Sequence, residues 1–211
     1  MLKMNFSFAI INLYSDGDTG ADKVGSHEVE RLLGRHCAPT FRGIKAGSLV
    51  AFSQTQMAAL DQFLAVSREG LARGGIVTAR LLDAADRTLV LFYRPLALAR
   101  RLRLPEARRI LAEYGYPLTT SLEPQLKHLC ERLRRGDSFP HEIGLFLGYP
   151  PRDVAGFIAH QGRGFLCCGC WKVYADAPAA MACFARYEAC TSAFCHRLSQ
   201  GVPLVELLRA V

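Results

Sequence analysis

The chain has 211 residues, half of them hydrophobic and 21% charged, with a mean hydropathy of +0.11, so it can bury a full core and is too apolar for intrinsic disorder. Arg, Asp or Gly breaks every apolar run before the roughly 18 residues a bilayer span needs, and no transmembrane helix is expected. The net charge of +7 is almost wholly arginine, 21 Arg beside five Lys, which suits acidic partners but not a base-stacking surface, because the arginines do not alternate with aromatics.

Residues 1–25 hold an early Lys3, a short apolar patch from Phe6 to Tyr14 and a polar stretch from Ser15 to Asp22, with no small-residue cleavage site between them. They read as a loosely attached extension rather than an export signal. The eight cysteines are then expected to be reduced thiols in the cytoplasm. Residues 26–211 are expected to form a single α+β domain with a small antiparallel sheet, ferredoxin-like in part, and a large helical portion.

From Ser26 to Cys37, Val29, Leu32 and Leu33 fit one helical face, with Ser26 as N-cap and Ala38-Pro39 as the stop. Ser48 to Phe52 reads as a strand. Ser53 or Thr55 then caps a long helix bearing Met57, Leu60, Phe63, Leu64 and Leu71, which Gly74-Gly75 ends. Ile76 to Leu82 and Thr88 to Tyr93 are apolar and β-branched, and the polar connection between them has hairpin length, so they should pair antiparallel. Strand, helix, strand, strand is the element order of half a ferredoxin-like sandwich.

After Pro95 the spacing predicts helices over 96–104, 105–114 and 121–135, ended by Gly115-Tyr116-Pro117 and by Gly136. A short helix from Pro140 to Leu147, capped by Asp137 or Ser138, and a second from Pro151 to His160 meet at Gly148 and Pro150 as a bent corner. Phe165 to Tyr174, FLCCGCWKVY, reads as one strand that joins the earlier sheet at its edge. Helices from Pro178 to Leu198 and Pro203 to Val211 complete the chain.

His141-Glu142 invites comparison with the zinc-peptidase HExxH, but the fifth position is Leu145, and neighbours on a helix point about 100° apart, so the two cannot readily act on one atom. If 165–174 is a strand, Cys168 and Cys170 share a face with Lys172 and Tyr174; Cys183 and Cys190, seven apart on one helical face, could complete a soft-metal set. CxC without a second tight pair is far from the paired CxxC pattern of a zinc site, and buried cysteine commonly serves as a small hydrophobe. Lys172, between Trp171 and Val173, either snorkels to solvent or offers a cation beside aromatic rings to an anionic ligand, with Tyr149, Trp171 and Tyr174 as walls. Cys37 beside His36 at a helix C-terminus gains no help towards a thiolate there. There is no P-loop, no GxGxxG after a strand and no GxSxG elbow.

Three segments taken together, HCAPTFRGIKAGSL at 36–49, FPHEIGLFLGYPPRDVAGFI at 139–158 and WKVYADAPAAMACFARYEAC at 171–190, resemble a family of uncharacterised bacterial proteins, found largely in anaerobes and known only as a domain of unknown function. The resemblance runs from about Glu28 to the C-terminus and leaves the N-terminal stretch outside. It implies a bacterial cytosolic protein and brings no activity, cofactor or partner with it. The CCGC run departs from the family pattern, so a metal site on Cys168 and Cys170 would be peculiar to this chain.

The residues point to a small ligand or redox cofactor held between the corner, through His141, Glu142 and Tyr149, and the late strand, through Trp171, Lys172 and Tyr174. Two further readings stand beside this one. The first is a metal or thiol-redox protein using Cys168, Cys170, Cys183 and Cys190; the second is a scaffold or nucleic-acid binder using the arginine-rich helices. Catalytic residues, the cofactor and the oligomeric state are left unassigned.

Overall fold

The computed structural model describes residues 26–136 and 138–208. The expected N-terminal extension, a cap at Asp137 and the end of the last helix lie outside the described residues. The described chain is α+β, and its contacts cluster into two compact units, one built from residues 26–95 with 185–208 and the other from Leu96–Phe184.

The first unit runs α1 (Ser26–Phe41), β1 (Gly47–Ser53), α2 (Gln54–Arg73), β2 (Val77–Asp83) and β3 (Arg87–Tyr93). The sheet has the order β1-β3-β2 and is antiparallel throughout, from Gly47 opposite Tyr93 to Ser53 opposite Arg87 and from Val77 opposite Tyr93 to Asp83 opposite Thr88. The expected strand, helix, strand, strand order is therefore present, with β3 inserted between β1 and β2. β3 is the centre because it is the most apolar strand: Leu89 through Phe92 are all buried, whereas β2 is mostly open on the sheet edge. A bulge between Arg80 and Leu82 interrupts that edge. At the start of α2 the Gln56 side chain accepts from the Ser53 backbone N–H at 3.0 Å, and Gly75, with φ +67°, follows its end.

α1 differs from expectation: it does not stop at Ala38-Pro39 but passes through Pro39 to Phe41. Proline removes its own N–H donor and crowds the carbonyl four residues back, and packing outweighs that cost, because Cys37, Ala38, Thr40 and Phe41 are all buried. The Pro39 carbonyl then terminates the helix, accepting from Ile44 N at 2.9 Å and Lys45 N at 3.1 Å. Arg94 locks this end by donating from Nε to the Thr40 carbonyl at 2.6 Å and from Nη2 to that of Phe41.

The second unit contains α3 (Pro95–Leu102), α4 (Pro105–Glu113), α5 (Leu122–Arg135), α6 (Ile143–Phe146), α7 (Pro151–Ala159), β4 (Cys167–Cys168) and β5 (Lys172–Val173). Ser121 caps α5, and Gly136 ends it in the left-handed conformation at φ +70°. A 23-residue helix, α8 (Ala177–Ser199), begins in this unit and continues into the first, which α9 (Leu204–Leu207) completes.

Two further expectations need correction here. The corner helix begins at Ile143 rather than Pro140, with Glu142 at its N-cap position, because Pro140, His141 and Glu142 form tight turns whose carbonyls take the N–H groups of Ile143, Gly144 and Leu145. Nor is FLCCGCWKVY a single strand on the larger sheet. It folds back as a separate two-stranded hairpin, Cys167 opposite Val173 and Cys168 opposite Lys172, with the Gly169 N–H bonded to the Trp171 carbonyl at 3.1 Å. Gly169 permits the turn: a Cβ there would lie 2.4 Å from the Phe184 ring.

Candidate binding cleft

The corner is held from behind. Glu142 is fully buried, and its Oε1 accepts from Arg132 Nε at 2.9 Å and from the Tyr116 hydroxyl at 3.1 Å, while Oε2 has no hydrogen-bond partner among the described residues. Arg132 also lies over the Tyr114 ring, 4.9 Å from its centroid. Burial works to lower the Arg132 pKa, but the bond to Glu142 and its charge outweigh that and raise it. Burial first, and the Glu142 charge after it, push the Tyr116 phenol well above its ordinary value, so it stays a donor.

In front of the corner, Gly148, at φ +78°, turns the chain so that Tyr149 N–H reaches the Gly144 carbonyl at 2.9 Å, and Pro150-Pro151 start α7. The first turn of α7 carries Asp153, which is 3% exposed and accepts three hydrogen bonds. Its Oδ2 takes the Trp171 indole N–H at 2.7 Å, and its Oδ1 takes the backbone N–H groups of Tyr174 at 2.8 Å and Ala175 at 3.0 Å. One buried carboxylate thereby fixes the whole hairpin against α7. Trp171, so held, stacks on Tyr149 with ring centroids 5.0 Å apart and meets Phe184 edge-on at 4.5 Å.

Between corner, α7 and hairpin lies a small cleft, partly open to solvent, with an internal volume of about 40 Å³. His141, Tyr149, Trp171 and Lys172 line it together with Asp153 and Phe157. Lys172 Nζ donates to the Gly162 carbonyl at 2.8 Å and sits 4.9 Å from the Phe165 centroid and 5.9 Å from that of Phe157. The His141 ring meets Phe157 edge-on at 4.9 Å, and its Nδ1 is buried without a hydrogen-bond partner among the described residues. Burial lowers the His141 pKa, and the neighbouring Glu142 charge offsets part of this, so the imidazole is neutral at pH 7.

Glu142 and Tyr174, expected in the same site, do not line the cleft. Glu142 faces Arg132 and Tyr116. Tyr174 packs over Gly156, where a Cβ would come within 2.5 Å of its own Cβ and Cγ, and stacks on His160 at 5.7 Å. All eight cysteines are free thiols, and no group of three or more His, Cys, Asp or Glu able to hold a metal ion occurs among the described residues. The turn at Gly169 separates Cys168 from Cys170 and removes the shared strand face. Burial raises the Cys168 thiol pKa, Lys172 lowers it and Cys167 raises it again. Cys37 is fully buried and its thiol is pushed far up by desolvation, against a smaller opposing effect of Lys45.

Sequence reasoning passed over Asp153, Phe157, Arg132 and Tyr116. The one signal available for Asp153 was an acid in the first helical turn after Pro-Pro, and a helix dipole alone would account for that.

A mixed α+β chain with an aromatic-walled cleft in its helical unit is what these elements define. The chain belongs to the family described as Protein of unknown function (DUF3793), whose model matches residues 33–208, a span that contains every residue of the cleft. No curated protein and no solved structure matches it.

Proposed function

We propose that this protein binds a small ligand or redox cofactor in the cleft between the Phe-Pro-His-Glu-Ile-Gly corner and the Trp171 hairpin. The observation that carries the reading is the convergence of His141, Tyr149, Trp171 and Lys172, from two segments distant in sequence, on one cleft. Such a cleft, apolar and aromatic with a few polar groups, is the usual form of a ligand site. Asp153 supports the reading as a positioning residue, since three hydrogen bonds hold the hairpin wall rigid before any ligand arrives. The protein is further proposed to work in the cytoplasm of a bacterium, an anaerobe by family resemblance, where eight free thiols suit a reducing compartment.

The test is native mass spectrometry of the full chain purified without oxygen, searching for a bound small molecule. A stoichiometric adduct lost in a Tyr149→Ala, Lys172→Ala double variant supports the reading. An adduct that survives those substitutions in a folded protein places the ligand elsewhere and overturns it.

A further inference from the structure

Resting on the cleft as a ligand site, we infer that its occupant is a flat, apolar-bodied anion of the aromatic carboxylate type, paired with Lys172 and stacked among the aromatic walls. Three observations lead there.

The first is the charge balance inside the cleft. Among the described residues that line it, the charged side chains are Asp153 and Lys172. Both Asp153 oxygens are engaged, Oδ2 by Trp171 and Oδ1 by the backbone of Tyr174 and Ala175, so the acid is committed to the hairpin and is not the group offered to a ligand. An ammonium carries three donors, and Lys172 places one of them on the Gly162 carbonyl. No carboxylate of the described residues pairs with it. A part-buried cation in a largely apolar wall interacts more strongly with an opposite charge brought to it than a cation in bulk water does.

The second is the way that cation is held. The Gly162 carbonyl, on a residue at φ +74°, and the rings of Phe157 and Phe165 fix Nζ beside the cleft rather than leaving it on a free stem in solvent. A Cβ at Gly162 would lie 3.0 Å from Phe157 and 3.4 Å from Nζ, so this seat is built around an absent side chain. A cation already immobilised loses less entropy when it pairs with a ligand.

The third is the shape and chemistry of the rest. Tyr149, Phe157, Trp171 and Phe139 line the cleft with aromatic side chains, together with Ile143 and Leu147, which suits an aromatic, apolar body. His141 adds a polar group whose ring nitrogens have no hydrogen-bond partner among the described residues. Its tautomer is therefore unconstrained by the protein, and it can offer a ligand either an N–H or a lone pair.

The test uses the full chain and two probes of one shape, 1-naphthoate and the uncharged 1-naphthamide. Trp171 is the single tryptophan, so one indole N–H signal in a ¹H–¹⁵N spectrum reports directly on the cleft wall. Both probes should shift that signal, with naphthoate binding at least about tenfold more tightly, a difference of ~1.4 kcal/mol. Lys172→Met should bring naphthoate down to the amide's affinity and leave the amide unchanged, and Lys172→Arg should keep the preference. Equal affinity for the two probes, with the indole signal shifted by both, overturns the anion inference and leaves the cleft standing as a ligand site. An indole signal that neither probe moves, in a protein whose spectrum shows it folded, overturns the inference, and the adduct measurement then decides separately whether the cleft binds anything.

Discussion

Trp171 donates its indole N–H to Asp153 Oδ2 at 2.7 Å, across 18 residues of sequence, and both groups are buried. Asp153→Ala should strand that N–H and the two backbone N–H groups that share the carboxylate, at about 1–3 kcal/mol for each buried donor left unpaired. The total should be less than their sum, because the hairpin can shift towards solvent. Chemical denaturation measures the loss, and a displaced indole signal should accompany it. A variant as stable as the parent would show that the hairpin is held by ring packing alone.

Buried Glu142 and part-buried Arg132 form a second attachment. Arg132→Ala leaves a carboxylate inside the corner with the Tyr116 hydroxyl as its only donor among the described residues, and should cost about 3–5 kcal/mol. Tyr116→Phe removes a neutral donor while Arg132 stays, and should cost about 1 kcal/mol. Urea midpoints of the two variants give the ranking, and the reverse order would mean that the ion pair contributes little.

His141 predicts a pH dependence of stability. Burial holds its folded-state pKa below the ordinary 6.5, with Glu142 acting in the opposite direction and Lys172 lining the same cleft. The unfolded chain therefore takes up a proton first as pH falls, and stability drops from about pH 6.5 down to the lowered folded value, below which this residue adds no further change. His141→Gln should remove that part of the slope. Denaturation of both proteins between pH 7.5 and about 5 measures it, and identical slopes would refute a buried neutral imidazole.

Gly156→Ala tests the seat of Tyr174. The added methyl would start 2.5 Å from the root of that side chain, which cannot swing away without moving β5. Overpacking of this kind costs about 1–3 kcal/mol. Thermal unfolding checks it, and an unchanged midpoint would show that the hairpin gives way freely.

The sheet was legible because each of its signals is local. Ser53 and Gly74-Gly75 bracket the long helix, and the β-branched run at 88–93 marks the buried central strand. The hairpin at 165–174 was not, since an apolar run with alternating faces reads as one strand unless Gly169 is known to meet Phe184. Likewise Pro39 is a stop by local rule, and only the burial around it shows why the helix goes on. In the cleft, the corner and the Trp-Lys-Val-Tyr segment could be picked out as partners, but the roles of Glu142 and Asp153 depend on groups 10 to 26 residues away and have no spacing signature.

Residues 96–184 interrupt the sheet-bearing unit in sequence, and this sets an order for its birth on the ribosome. That unit cannot close its core when its strands emerge: Phe41 packs on Phe194, and Tyr187 reaches back 143 residues to the Ile44 carbonyl. At about 5–20 residues per second, the sheet waits several seconds for its last helices. The intervening stretch emerges without a break and can assemble its own core in that interval, so the cleft takes shape before the scaffold that encloses it in sequence is complete.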